Sequence, residues 1–477
     1  MFLQKLLLPA TLLIAISLTG CGEKVKPDEP VNDDGPDVTA KAPDQGIHTK
    51  KAPLYWTVYE YLWTQEAAGV SSSRMDITSE HWDKIIDWMA ANFLPYGYDM
   101  VCTDGFVPTY CEDGSMYLNK YGSCRFEEII AKCKARGLKL GVYDNPLWIH
   151  CPSETVIPGT SYTVGSLKYD SSKDKVANPS AADRSFSWAV ATHPGCKEFI
   201  DGFFKHYHDL GVDFIRMDFM SWYEDGHDNG MGTVGRGYGR DVYELALKYI
   251  CESAQKYGIF LSIVMPHLFN DAEFEKEYGH MFRIVRDTWS GGWDHFSEAS
   301  RGKVRGVWPN CDNQFDGFIH WSKVAGRGSV IMDGDFTRLN TFKNDEQKKS
   351  VISLQLLAGG PIAIADQYNT IGDNARFYQN AELLALNKDR FAGRPLSQSI
   401  FDKKSQIWYG QMKNGDWVVG LFNRSASLTN FSLKFSELGL DGSYKVRDLW
   451  THQDEGSADG VDVDLKAYDC KVIRLSR

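Results

Sequence analysis

Short apolar runs alternate with longer amphipathic segments from residue 54 to about residue 395. The apolar runs have the length of buried strands, and the segments between them repeat apolar residues at helical spacing. In the first segment, Trp82, Ile85 and Met89 share one face of a helix that begins near Thr78. The predicted strands are 54–58, 99–103, 139–143, 213–217, 260–265, 281–286, 329–332 and 361–365. Eight strands, each followed by a helix, predict a (β/α)8 barrel.

A doubly wound open sheet is the alternative fold for such alternation. No Gly-x-Gly-x-x-Gly turn follows the first strand, which argues against its dinucleotide-binding form. After residue 395 the helical period gives way to short alternating runs separated by Asn-Gly, Asp-Gly and other glycine-rich turns. We therefore expect a catalytic barrel over 51–394 and an antiparallel β-sandwich over 395–477.

The N-terminus has the pattern of an export signal. Lys5 precedes the apolar run 6–18, which is too short for a mature membrane span, and Leu18-Thr19-Gly20-Cys21 follows. This arrangement resembles the bacterial lipoprotein signal, which implies a signal peptide over 1–20 and lipidation at Cys21. An ordinary secretory peptide is the alternative. The acidic, Pro- and Gly-containing stretch up to residue 50 is typical of a disordered tether. It resembles lipoproteins of the Bacteroidetes surface, so the expected location is the outer membrane.

Composition and charge argue against nucleic-acid binding and against a metal or cofactor. A net charge of −11 leaves no basic stripe for nucleic acid. Aromatic residues make up 13% of the chain, which fits sugar stacking and a large core about equally. Nine cysteines follow Cys21, and because the number is odd, disulfides leave at least one of them unpaired. No Cys-x-x-Cys or His-x-x-x-His spacing is present, so we expect neither metal nor cofactor.

Acidic residues follow almost every predicted strand. In chain order they are Asp104, Asp144, Asp218, Asp287, Asp333, Asp335 and Asp366. In a barrel these strand ends converge on one mouth. A helix N-cap is an equally good interpretation for Asp144, Asp333 and Asp366. Asp218 and Asp287 differ, because each follows an apolar strand with an arginine nearby, which tunes or maintains the charge of a buried carboxylate.

Glycoside hydrolysis with retention of configuration requires two such carboxylates. One attacks the anomeric carbon, and the other protonates the leaving oxygen and then activates water. We expect Asp218 and Asp287 to lie at the same end of the barrel with their carboxyl oxygens about 5–7 Å apart.

Several segments, in the same order, resemble glycoside hydrolase family 27, the α-galactosidases and α-N-acetylgalactosaminidases, over most of residues 52–477. Residues 138–143 are similar to the third-strand pattern of that family, and residues 215–218 are similar to the segment that carries its nucleophile. Arg283 and Asp287 are similar to its Arg-x-x-x-Asp motif. The resemblance implies an oligosaccharide or polysaccharide substrate, with Asp218 as nucleophile and Asp287 as acid/base.

The resemblance also implies a set of substrate-binding residues, with Asp144 the weaker candidate: Trp56, Asp104, Asp144, Arg216 and Arg283. Two departures leave the sugar open. Thr103 stands where the family usually has a second aspartate, which removes a partner of the galactose 6-hydroxyl, and Arg216 replaces a lysine. The expected activity is removal of terminal α-galactose-like residues, with β-L-arabinopyranose or α-N-acetylgalactosamine as alternatives.

Two rival interpretations come from other classes. A non-catalytic glycan-binding lipoprotein on a degenerate barrel would be expected to lack one catalytic carboxylate, and both are present. A metal-dependent barrel hydrolase would need histidines at the strand ends, where aspartates dominate.

Overall fold

The structure is a computed structural model that describes residues 50–70, 76–105, 111, 113–176, 187–288 and 291–477. The signal peptide, the tether and Cys21 lie outside the described residues. Eight parallel strands form one sheet: β1 (Leu54–Thr57), β2 (Met100–Cys102), β3 (Lys139–Tyr143), β4 (Phe214–Met217), β5 (Phe260–Ile263), β6 (Met281–Arg283), β7 (Ile331–Asp333) and β8 (Ile362–Ile364). Their order in the sheet is β7-β6-β5-β4-β3-β2-β1-β8.

The segment after β7 closes this sheet into a barrel. Thr337 forms a parallel bridge with Ile364. Its N–H donates to Ala363 O at 2.8 Å, and its carbonyl accepts from Ala365 N–H at 2.9 Å. The predicted (β/α)8 barrel is therefore confirmed.

Helices follow the strands and cover the outside of the barrel. In chain order they are α1 (Tyr59–Ala67), α2 (Ser79–Asn92), α3 (Phe126–Ala135), α4 (Cys196–Leu210), α5 (Met220–Glu224), α6 (Arg240–Tyr257), α7 (Phe269–Tyr278), α8 (Gln314–Trp321), α9 (Asp345–Leu357), α10 (Ala375–Tyr378) and α11 (Ala381–Asp389). Helix α2 has the predicted cap, since the Thr78 hydroxyl accepts from His81 N–H at 3.3 Å. Trp82, Ile85 and Met89 are buried, as their helical spacing predicts.

The C-terminal region forms the predicted antiparallel sandwich. Its strands are β9 (Arg394–Pro395), β10 (Ile407–Gln411), β11 (Trp417–Phe422), β12 (Thr429–Lys434), β13 (Tyr444–Asp448), β14 (Gln453–Ala458), β15 (Gly460–Leu465) and β16 (Cys470–Ser476). Six strands pair in the order β9-β10-β11-β16-β13-β14, and β12 pairs with β15. One face of the large sheet buries Val418 and Val472 against the barrel, and the other buries Val419 and Ile473 in a separate core.

Two further features bear on the sequence-based expectations. All nine cysteines that follow Cys21 are described, and each is a buried free thiol. Among the described helices, none is both long and apolar enough to cross a membrane.

Candidate active site

The parallel strands bring several acids to one end of the barrel. Asp104 follows β2, Asp218 follows β4, Asp287 follows β6, and Asp333 is the last residue of β7, with Asp335 two residues later. The carboxyl ends of barrel strands face the same mouth, so these groups meet there.

Asp218 is partly buried and held by two donors. Its Oδ2 accepts the Tyr143 hydroxyl at 2.7 Å, and its Oδ1 accepts the Phe219 N–H at 2.7 Å. Phe219 has a left-handed backbone with φ +64°, which is uncommon for a bulky residue and directs its amide to the carboxylate. Burial and the neighbouring Asp287 charge raise the pKa of Asp218 to about 6, and the two hydrogen bonds oppose this rise.

Asp287 occupies a different environment. Its side chain is 53% exposed, whereas that of its partner Arg283 is 1% exposed. Arg283 Nη2 lies 2.6 Å from Asp287 Oδ1, Nη1 lies 2.6 Å from Asp335 Oδ1, and Nε donates to Val285 O at 3.1 Å. The buried Arg283 guanidinium thus pairs with both the solvent-exposed Asp287 carboxylate and the buried Asp335 carboxylate.

Arg216 is almost fully enclosed by acids. Nη1 lies 2.8 Å from Asp333 Oδ2, Nη2 lies 3.2 Å from Asp335 Oδ1, and Nε lies 3.6 Å from Asp104 Oδ2. The resemblance predicted a sugar-binding role for this side chain. In the structure its two terminal nitrogens are occupied by protein carboxylates.

Asp104 lies close to the same network but retains some exposure. Its side chain is 12% exposed, and Oδ2 accepts the Thr57 hydroxyl at 3.3 Å. Burial raises the pKa of Asp104, while the positive charge of Arg216 opposes this rise. Its backbone carbonyl accepts the Tyr121 hydroxyl, which anchors the end of β2. Asp104 is therefore placed to meet a ligand hydroxyl at the mouth.

Two aromatic residues lie near the end of the first strand: the predicted Trp56 on β1, and Tyr59 at the start of α1. Trp56 is 1% exposed, and its Nε1 donates to the Asp366 carbonyl at 3.0 Å. Tyr59, three residues later, is only partly buried and stacks on Phe336 with ring centroids 3.9 Å apart. Because Phe336 directly follows Asp335, this contact puts Tyr59 beside the site carboxylates, and burial together with the charges of Asp287, Asp335 and Asp104 raises the pKa of Tyr59. Tyr59 is thus the better placed of the two, and the signal for it is an aromatic residue just past the strand end.

Asp144 is not brought to the open mouth. It has no exposed surface, its Oδ2 accepts the Tyr207 hydroxyl at 2.7 Å, and its Oδ1 lies 3.3 Å from His150 Nε2. Asp366 is similarly enclosed, with Oδ2 accepting the Tyr378 hydroxyl at 2.7 Å. Both carboxylates are occupied by protein groups, but neither is the N-cap of a helix after its strand: Asp144 also accepts the Asn145 N–H, and Asp366 accepts the N–H groups of Leu339 and Asn340.

Comparison with known proteins shows the family of the chain. Residues 402–475 match the model of the α-galactosidase C-terminal β-sandwich domain. The isomalto-dextranase of Arthrobacter globiformis is 36% identical over 493 residues, which cover 98% of this chain and 74% of that enzyme. The chain belongs to the α-galactosidase-like glycoside hydrolases of family 27. This glycosidase is also 25% identical over 195 residues to a rice α-galactosidase, covering 40% of this chain and 46% of that enzyme.

Solved structures agree with this assignment. The Arthrobacter globiformis T6 isomalto-dextranase complexed with panose matches the glycosidase with a TM-score of 0.81 and 35% identity, covering 90% of this chain and 74% of that one. A family 27 β-L-arabinopyranosidase from Geobacillus stearothermophilus matches with a TM-score of 0.68 and 19% identity, covering 90% of this chain and 97% of that one. The second likeness concerns the fold alone.

Proposed function

We propose that this glycosidase cleaves α-glucosidic linkages of an isomalto-type glucan by double displacement, with Asp218 as nucleophile and Asp287 as acid/base. The observation that carries the proposal is the contrast between the two carboxylates. Asp218 is shielded and fixed by two hydrogen bonds, as suits an attacking group, whereas Asp287 is open to solvent. A group that first delivers a proton and later activates water needs that access.

In the first step an Asp218 oxygen attacks the anomeric carbon while Asp287 protonates the glycosidic oxygen, and the C–O bond to the leaving sugar breaks. In the second step the Asp287 carboxylate takes a proton from water, which attacks the same carbon and releases Asp218. The Tyr143 hydroxyl and the Phe219 amide orient the Asp218 carboxylate before attack, so little reorganisation is needed.

The choice of sugar rests on two considerations. Identity to the isomalto-dextranase extends over 98% of the chain, whereas identity to the rice α-galactosidase extends over 40%. The arginine that would otherwise bind sugar hydroxyls is engaged by Asp333 and Asp335, which leaves Asp104 and Tyr59 as the proposed hydroxyl and ring contacts. Terminal α-galactose, the activity expected from the sequence, is the second candidate, because Asp104 suits an axial hydroxyl.

A substrate panel tests this proposal. Dextran, isomaltotriose and panose are compared with the 4-nitrophenyl glycosides of α-galactose, α-N-acetylgalactosamine and β-L-arabinopyranose, and NMR follows the configuration of the first product. We expect hydrolysis of the glucans with retention. Cleavage of the α-galactoside alone would favour the second candidate, and an inverted product would contradict double displacement. Calorimetric binding of dextran without turnover would favour a glycan-binding protein.

We further propose that Cys21 is lipidated and holds the enzyme at the outer membrane. The test is detergent partitioning of the native protein and of Cys21→Ser. The variant should move to the aqueous phase or remain unprocessed, because lipid chains supply the membrane affinity. Native protein recovered wholly in the aqueous phase with an unmodified Cys21 would contradict the anchor.

A further inference from the structure

Asp335 is buried at the centre of the mouth, with 1% of its surface exposed. Its Oδ1 faces Arg283 Nη1 at 2.6 Å and Arg216 Nη2 at 3.2 Å. Its Oδ2 accepts the Thr288 N–H at 2.7 Å and the Thr288 hydroxyl at 3.0 Å. Four donors therefore converge on one carboxylate: one from Arg216 of β4, one from Arg283 of β6, and two from Thr288 in the segment after β6.

These donors lie on both sides of Asp287 in the chain. Thr288 is the next residue, and Arg283 is bound to Asp287 through its other terminal nitrogen at 2.6 Å. Asp287 is itself 53% exposed, so its position depends on the groups that flank it. A single anchor for both flanking residues limits how far the Asp287 carboxylate can move.

Asp335 also limits how Arg283 can bind Asp287. A guanidinium released from Asp335 would be free to offer both terminal nitrogens to Asp287, and bidentate pairing strongly favours an ionised carboxylate. Asp287 would then be held in its ionised form, which cannot donate the proton that the leaving group needs. Asp333 is the other charged group beside Asp335, and Tyr59 is close enough to be affected by its charge; Asp104 lies next to Arg216, 3.6 Å from its Nε.

We propose that Asp335 is a positioning residue that keeps Asp287 oriented and protonatable for acid catalysis. This inference rests on the proposed function, since it takes Asp287 to be the acid/base. Asp335 would contact no substrate and would act through Arg283 and Thr288. A purely structural role would instead reduce all activities together.

Two substrates with the same donor sugar separate these roles. In 4-nitrophenyl α-isomaltoside the leaving group departs without a proton, whereas in isomaltotriose the departing glucose requires one. We expect Asp335→Asn to lower kcat/KM for isomaltotriose about 10²-fold or more, and to lower the nitrophenyl value only a few-fold. Loss of the Asp335 charge and tighter pairing with Arg283 both favour ionised Asp287. The basic limb of the pH profile should therefore move to lower pH.

The variant suits this position because Asp335 has a left-handed backbone with φ +71°, which asparagine also tolerates. Asp333→Asn is the matched control, since Asp333 binds Arg216 at 2.8 Å and the Asp335 N–H at 2.8 Å. It removes a charge from the same network, and its losses should be similar on both substrates. Circular dichroism and thermal unfolding check that each variant is folded.

Should Asp335→Asn not fold, Thr288→Ala is the second variant. It removes a hydroxyl that lies 3.0 Å from Asp335 Oδ2 and 2.8 Å from Phe336 O, while it removes no charge and keeps the Thr288 N–H bond to Asp335. We expect a several-fold loss on isomaltotriose and little change on the nitrophenyl substrate. Equal losses on both substrates, with an unmoved basic limb, would overturn the proposal. Asp287→Asn distinguishes failure of the acid/base assignment from failure of the positioning role. If Asp287→Asn loses as much activity on the nitrophenyl substrate as on isomaltotriose, the proposed function is wrong. If Asp287→Asn loses more on isomaltotriose but Asp335→Asn loses equally on both substrates, the positioning role of Asp335 is wrong.

Discussion

The buried arginines at the mouth of the barrel and at the domain interface of this glycosidase have different partners. The mouth network consists of Asp104, Arg216, Arg283, Asp287, Asp333 and Asp335, with two arginines among four aspartates. The domain interface has Arg424, which lies 2.8 Å from Asp316 and donates to the Ser297 hydroxyl at 2.9 Å and to the Ser297 carbonyl. Excess negative charge is unfavourable in a buried cluster, whereas a matched pair is not.

This difference suggests different roles for the two clusters: the mouth network serves the proposed reaction, and the Arg424–Asp316 pair holds the two domains together. In the mouth, burial and the nearby Asp287 raise the pKa of Asp218 to about 6, so charging this group costs stability. At the interface, Arg424 joins the turn after β11 to helix α8 and to residue 297 of the loop after β6. We therefore expect substitutions in the mouth to change activity and substitutions at the interface to change stability.

The largest effect should follow from Asp218→Asn. Because this change removes the proposed nucleophile, turnover of isomaltotriose and of its nitrophenyl analogue should fall by several orders of magnitude. The pKa of Asp218 lies above the unfolded value of about 3.9, so the ionised group costs stability at pH 7 and no longer does so below pH 4. The variant should thus have a higher free energy of unfolding at pH 7 and an unchanged one at pH 4. Near-normal turnover in Asp218→Asn would place the chemistry elsewhere.

Arg424→Met should produce the opposite result. It leaves Asp316 buried without its cation, which typically costs about 3–5 kcal/mol in the free energy of unfolding. Urea denaturation measures this loss, and kcat/KM per folded molecule should change little. Arg424→Met combined with Asp316→Asn should recover part of the stability, because no unpaired charge remains. A full loss of activity in folded Arg424→Met would show that the interface also acts on the mouth.

Smaller losses of activity or stability should distinguish the two candidate sugar-binding aspartates, Asp104 and Asp144. Asp104→Asn should lower kcat/KM about ten- to a hundredfold through loss of a charged hydrogen bond to the substrate. Asp144→Asn should instead reduce the free energy of unfolding by about 1–3 kcal/mol, because Tyr207 and the Asn145 N–H donate to that carboxylate. The reverse outcome would restore Asp144 to the sugar pocket.

The barrel was predictable because each strand is a short apolar run, and all eight predicted runs overlap observed strands. Long-range packing was not predictable. The enclosure of Asp144 depends on Tyr207 of α4, 63 residues away. The enclosure of Trp56 depends on packing with the helices around the barrel and on the Asp366 carbonyl, 310 residues away, which accepts its Nε1–H.

The central position of Asp335 was likewise unpredictable, although the residue was noted at the end of the seventh strand. Its partners Arg216 and Arg283 come from β4 and β6, and they meet it only because the barrel curves. Local sequence patterns therefore identified the acids at the mouth. Only the folded chain shows which of them are exposed to solvent, such as Asp287, and which are buried against arginines, such as Asp333 and Asp335. The roles of Asp218 and Asp287 remain predictions, as does the expected separation of about 5–7 Å between their carboxyl oxygens.

The smallest effect concerns the acid limb of the pH profile. Asp218 must be ionised to attack, so kcat/KM for the nitrophenyl substrate should fall as pH drops through about 6. Asp287 is one cause of that raised pKa, so Asp287→Asn should move the limb to lower pH by removing a like charge. The nitrophenyl substrate is needed because its glycosylation step requires no acid. Glu80→Gln is the matched control, since it removes one negative charge from an exposed pair on α2 and should leave the limb in place. An equal shift in both variants would mean that overall charge, rather than the proximity of the two carboxylates, sets the pKa of Asp218.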